Sequence, residues 1–313
     1  WGFEYEKMLK TLAEAKDFVN VLTLAEVILM LRSKDEVEKT KSGFTTDNPF
    51  YLSDLSYTKV FEHLVNVDEP HKERALAIAI NAFRGVILTG EKSKHDKVFK
   101  VEETFYLYDV DFFELELSQR EHMSHRDDVR AVAAAVKKLV ADLIGGKCGD
   151  ITNVHRLYEQ YFATLPESRS MWRLRLFVLS LCPEVFKNEL QEAFFRVFKT
   201  DHYYELISGT EYYKALRAGF LVLSEPDKRN YVAKIFEYFS KRAKDNEDQK
   251  WHKKYGWEIL SNICNQLTPE ESLTCEKIFG QKCDSNFEPE PSIGAVRSGY
   301  VRPKGPIPFE EFS

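Results

Sequence analysis

Residues 128–144 read DVRAVAAAVKKLVADLI, and the spacing within them decides the fold class. Val129, Val132, Ala133, Val136, Leu139, Val140 and Leu143 recur three and four residues apart. With 3.6 residues per turn they fall on one stripe of an amphipathic helix. Asp127 is the expected N-cap, because its short side chain can accept from an orphan N–H of the first turn. Gly145-Gly146 is the expected stop. The same spacing predicts a helix over 227–244, with Tyr231, Val232, Ile235, Phe236 and Phe239 on one face. Ser224-Glu225-Pro226-Asp227 opens that helix as a loose capping box with proline in its first turn. A tighter box follows at Thr268-Pro269-Glu270-Glu271, with Thr268 as N-cap, Pro269 at the first helical position and Glu271 at the third.

Working outward, residues 3–19 and 19–32 read as a first helix pair, followed by a polar loop over 33–53. Residues 56–67 and 70–88 read as a second pair, with Asp68 as the N-cap between them. The stretch VEETFYLYDVDFFELEL, 101–117, clusters its aromatics. Residues 99–117 are read as a helix, with an inserted hairpin as the alternative. Composition supports packed helices: 23 Phe, 15 Tyr and 4 Trp stand against only 14 Gly, too few for turn-rich β architecture. In a chain of 313 residues, 43% hydrophobic and 30% charged residues exclude wholesale disorder. The longest apolar run, 21–31, is interrupted by Glu26 and is shorter than the roughly 18–20 residues a membrane span needs. A start at Trp1 without a leader leads to the expectation of a piece of a longer protein.

Three prolines carry the reading of the second half. Pro183, Pro226 and Pro269 follow one another at a spacing of 43 residues, each opening a helical pattern. Under the same shift Phe177, Phe220 and Ile263 correspond, as do Val178, Leu221 and Cys264, and Ala193, Phe236 and Phe279. A period of about 40–47 with two helices per unit resembles HEAT and armadillo arrays. The resemblance spans roughly residues 169–280, is architectural, and identifies no particular family. It implies an all-α chain: an α-solenoid or irregular superhelix of antiparallel helix pairs over 1–284, with a sub-boundary near 90–125. An extended Pro-rich tail or linker follows over 285–313, holding five of the eleven prolines. Phe287, Tyr300, Ile307, Phe309 and Phe312 are apolar anchors that favour a tail that partly docks.

Chemistry is sparse. Cys148, Cys182, Cys264, Cys275 and Cys283 are odd in number, dispersed and without a CxxC pair, so neither a disulfide framework nor a zinc site is expected. A reducing, intracellular and cytoplasmic location is the corresponding expectation. His122, His125 and Asp127 form an HxxH-type cluster that could hold a divalent metal, against the plainer reading of a polar loop before a helix. Asp201-His202-Tyr203-Tyr204 and His252 read as helix-opening polar clusters. Gly145-Gly146-Lys147 lacks the GxxxxGK[ST] frame, and no GxGxxG or GxSxG is present. No cofactor is expected.

The formal charge of −6 argues against a general nucleic-acid coat. Residues 169–254 nevertheless hold 17 Lys and Arg against 12 Asp and Glu. Arg169, Arg173, Lys214, Arg217, Lys241, Arg242, Lys244, Lys250, Lys253 and Lys254 define a candidate basic strip, with Trp172 and Trp251 interleaved. It reads either as a solvated face or as a track for phosphates or an acidic partner. The resemblance implies a non-catalytic interaction module (scaffold, adaptor or sensor surface) that binds a protein. Nucleic-acid binding through the strip is the alternative, and a metal-dependent enzyme ranks last. No membrane partner is expected.

Overall fold

The computed structural model describes residues 2–33, 50–52, 56–87, 98–99, 111–117, 125–245 and 249–289. Thirteen α-helices and no strand are found among them. Helix α1 (Gly2–Glu14) and helix α2 (Phe18–Ile28) form the expected first pair. Asp17 caps α2 by accepting the Asn20 N–H at 3.3 Å. Helix α3 (Tyr57–Val65) and helix α4 (Lys72–Ile87) form the second. Asp68 heads a single 3₁₀ turn, Glu69–His71, and engages the His71 ring instead of a backbone N–H.

Helix α5 (His125–Val140) packs on both α3 and α4. Its Ala133, Ala134 and Ala135 are buried, as are Ala75 and Ala79 of α4, and these small side chains let the helices approach closely. The helix begins at His125, so Asp127 lies inside its first turn and is not its cap, a correction to the sequence reading. It ends as expected at Gly145-Gly146, through a π-helical turn over Ala141–Gly145. Helix α6 (Ile151–Tyr158) follows, capped by Asp150 and continued by a second π-turn, Glu159–Ala163.

Helix α7 (Arg169–Leu181) is the most enclosed element, buried at every residue from Ser170 to Ser180. A helix covered on all sides must satisfy its polar groups internally. Arg175 does so by donating to the carbonyls of Phe162 and Leu165 and to Glu167, which also pairs with Arg196. Then come helix α8 (Lys187–Arg196), the single turn α9 (Tyr203–Leu206), helix α10 (Thr210–Gly219), helix α11 (Glu225–Asp245), helix α12 (Gln249–Ser261) and helix α13 (Pro269–Phe279). α7 packs on α8 and α10, while α11, α12 and α13 pack on one another. The described helices form an all-α array sharing one continuous apolar core from Leu9 to Phe279.

The 43-residue correspondence holds in part. Phe177, Phe220 and Ile263 are all buried, and Phe236 stacks on Phe279 at 6.1 Å. Leu221, however, is 57% exposed where Val178 is fully buried. Pro269 is the first residue of its helix and Pro226 the second, but Pro183 lies in a turn four residues before α8. The extra turn α9 further breaks the period. Residues 111–117 form a turn, not helix, and 100–110 fall outside the described residues.

Two expectations about the chain's ties change. Cys148 and Cys182 form a disulfide with a Cα–Cα distance of 5.4 Å, so the cysteines are not all unpaired. The inference of a reducing compartment rested on unpaired cysteines and loses that premise. The tail docks where it is described: Phe287 packs on Trp257 and Tyr213 with ring centroids at 5.2 and 6.5 Å, and Arg217 donates to Phe287 O and Glu288. Tyr300, Ile307, Phe309 and Phe312 lie outside the described residues. No described helix is long and apolar enough to cross a membrane.

Candidate functional site

The side chain of Lys244 lies outside the described residues, and the other nine cations of the basic strip separate into three groups. Arg173 is buried, 4% exposed, and makes a bidentate pair with the fully buried Glu211 at 2.7 and 2.8 Å. Glu211 also accepts the Phe112 N–H at 3.0 Å, so the pair anchors segment 111–117 against α7 and α10. Lys214 reinforces that anchor, donating to Asp111 at 2.7 Å and to Glu114 at 3.0 Å. Burial works to raise the Asp111 carboxyl, but the Lys214 ammonium and the Phe113 N–H overcome it and hold it below its ordinary value. Trp172, half of the expected interleaving, is buried and donates to Leu206 O at 2.9 Å.

Arg169, Arg217 and Arg242 are partly exposed and Lys254 is exposed, but all four are engaged. Arg169 pairs with Glu205 at 3.2 Å, and Arg217 holds Asn262 as well as the tail. Arg242 pairs with Asp201 and lies 3.7 Å over the Tyr238 ring. Lys254 pairs with Glu258 at 3.5 Å and sits 5.5 Å over Trp251. In the third group, Lys241, Lys250 and Lys253 are exposed and have no ion pair among the described residues.

Of these cations, Arg242 lies against an aromatic cluster where α9, α11 and α12 meet. Tyr203 is its buried centre, with Tyr238, Phe239, His252 and Tyr255 at centroid distances of 4.9–5.8 Å, three of the four edge-on. Such arrangements set the negative face of one ring against the positive edge of another. Tyr203 Oη and His252 Nδ1 share a hydrogen bond of 2.6 Å, and Tyr238 donates to Thr200 O. Burial pushes the Tyr238 hydroxyl up to about 12, so it remains a proton donor. Two rings next in the chain to members of this cluster face water: Trp251, beside His252, is 56% exposed, and Tyr204, edge-on to Tyr203, 45%.

Trp251 and the nearby lysines were legible as aromatic–basic interleaving on one helix. Tyr203, Tyr204 and Tyr238 were not, because three separate elements bring them together. The only available signal was the run Asp201-His202-Tyr203-Tyr204, whose His202 does sit just before α9. Of the HxxH cluster, His122 lies outside the described residues, while His125 and Asp127 fall in the helical backbone of the first turn of α5. Among the described residues no group of three or more His, Cys, Asp and Glu has the geometry to hold a metal ion. No protein-family model, curated protein or solved structure matches this chain.

Proposed function

We propose that the chain is a non-catalytic interaction module of the helical-repeat type, a scaffold, adaptor or sensor surface, that binds a protein partner through the face around Trp251. The observation carrying this reading is that two large aromatic side chains, Trp251 and Tyr204, stand half exposed next in the chain to His252 and Tyr203 of the buried cluster, the Tyr204 ring edge-on to Tyr203. Aromatic anchors held in one orientation lose little entropy on binding and dominate interface energetics. The lysines around them favour a partner that presents carboxylates beside an apolar pocket.

The experiment is recovery of the tagged chain from its native host with and without nuclease, in parallel with a Trp251→Ala/Tyr204→Ala variant. The reading requires a stoichiometric protein that survives nuclease and is lost from the variant while the thermal midpoint is unchanged. Loss of binding only where the variant also unfolds would remove it.

A second reading, binding of single-stranded nucleic acid, is favoured by one feature: Lys250 and Lys253 are exposed on the same helix as Trp251, one and two residues from a ring on which a base could stack. It ranks lower because Arg242 and Lys254 are already neutralised by Asp201 and Glu258. It demands an oligonucleotide affinity that falls steeply with salt and weakens in Lys250→Glu/Lys253→Glu.

A further inference from the structure

Three thiols meet at the end of the array. Cys264 opens the 3₁₀ turn after α12, Cys275 lies in α13, and Cys283 lies in the extended segment beyond it. Gly280 adopts φ 84°, a left-handed conformation open to glycine, and this turn brings the chain back along the helix it has just left. As a result Cys283 Sγ donates to Cys275 Sγ at 3.1 Å, about 1 Å beyond the roughly 2.05 Å of a disulfide bond. Burial first, and then the neighbouring Cys283, push the Cys264 thiol up. Cys283 is fixed from both sides. Trp257 donates to Lys282 O at 2.7 Å, Ser261 Oγ accepts the Asp284 N–H at 3.2 Å, and Phe287 lies against Trp257.

We propose that Cys275 and Cys283 are a dithiol site that closes to a disulfide by exchange with a small disulfide of the oxidised-glutathione class. Cys275 is fully buried and Cys283 only partly, so exchange begins at Cys283. The Cys283 thiolate attacks one sulfur of the small disulfide, forming a mixed disulfide and expelling the first small thiolate. The Cys275 thiolate then attacks the Cys283 sulfur and expels the second. The protein dithiol is oxidised, the small disulfide is reduced to two thiols, and the two protons given up by the cysteines end on those thiols. While both thiols are free, their hydrogen bond lowers the pKa of Cys275 and, with burial, raises that of Cys283. That bond is lost once Cys283 enters the mixed disulfide, so access rather than acidity sets the order of the two steps. Closure fixes residue 283 to α13, and with it the start of the segment that carries Phe287 onto Trp257 and Tyr213.

The test titrates the intact chain across mixtures of reduced and oxidised glutathione, blocks remaining thiols by alkylation, and maps cross-links by mass spectrometry without reduction. Cleavage at lysine separates Cys283 from the other two, and cleavage at glutamate between them, at Glu270 and Glu271, separates Cys264 from Cys275. The expected result is joint loss of alkylation at Cys275 and Cys283, with a cross-linked peptide pair lighter by the two thiol hydrogens. Cys264 remains alkylated throughout, and Cys264→Ser leaves the cross-link in place. Persistence of both thiols at the oxidising end, or a cross-link through Cys264 in their stead, overturns the proposal.

Discussion

The Arg173–Glu211 pair shows how one contact orders distant parts of the chain. Its two charges are out of water, and Gly209 lies directly beside them, where an added Cβ would press into both the Glu211 carboxylate and the Arg173 guanidinium. Removing one buried partner strands the other, at a cost of about 3–5 kcal/mol, whereas replacing both by apolar residues of similar volume is often close to neutral. Glu211→Ala and Arg173→Ala should therefore each lower the urea-unfolding free energy by that amount. Arg173→Met/Glu211→Leu should lose less than either, retaining mainly the cost of the unpaired Phe112 N–H; a double variant that loses the sum would refute the argument. Gly209→Ala should also destabilise, by forcing the pair apart.

Asp111 adds a pH dependence at the same place. Its carboxyl has a folded pKa below the ordinary value of about 3.9, so its contribution is fully present above that value and is lost as pH falls through the lower, folded one. Unfolding free energies measured down to about pH 3 should fall less steeply for Lys214→Met than for the natural chain, since that variant lacks the ammonium that depresses the carboxyl. Equal slopes would mean that Lys214 does not set the Asp111 titration.

At the scale of elements, the parts legible in the sequence were those fixed by local chemistry. Thr268 accepts the Glu271 N–H at 3.2 Å while Glu271 accepts the Thr268 N–H at 2.8 Å, a reciprocal box readable from four consecutive residues. Ser224 likewise accepts the Asp227 N–H at 3.3 Å. Thr268→Ala should cost about 1 kcal/mol by chemical denaturation, and Thr268→Ser should recover most of it. Apolar stripes placed α5 and α11 for the same reason: the 3.6-residue period is written within each helix. Asp127 misled because a cap is set by where the backbone turns helical, and Ser124, Asp127 and Asp128 offer similar side chains over five residues. The aromatic face was largely illegible, since Tyr203, Tyr238 and His252 are brought together by packing of α9, α11 and α12. The ion pairs within the basic strip were not legible, because its partners Glu205, Glu211, Asp111 and Asp201 are too far along the chain, or too diverse in spacing, to pair by inspection.

For the whole molecule, the connection that spacing could not reveal is the covalent one between the end of α5 and the end of α7. Cys148 follows the π-turn that ends α5 and Cys182 follows α7, so their bond joins the helices around α5 to the array that begins at α7. No motif marks two cysteines 34 residues apart as partners; only the packing of α7 beneath the end of α5 does so. A cross-link closing a loop of that length restricts the unfolded chain by about 3.7 kcal/mol in the chain-entropy account. Reduction with a phosphine should therefore lower the thermal and urea midpoints without changing the helical circular-dichroism signal of the folded state. Cys148→Ala/Cys182→Ala should show the lower midpoint from the start and be insensitive to reductant at this site. Alkylation of the untreated chain under denaturing conditions separates the outcomes: protection of Cys148 and Cys182 with a midpoint that drops on reduction supports the tie. Ready alkylation of both before any reductant is added would show that the two halves are held by packing alone.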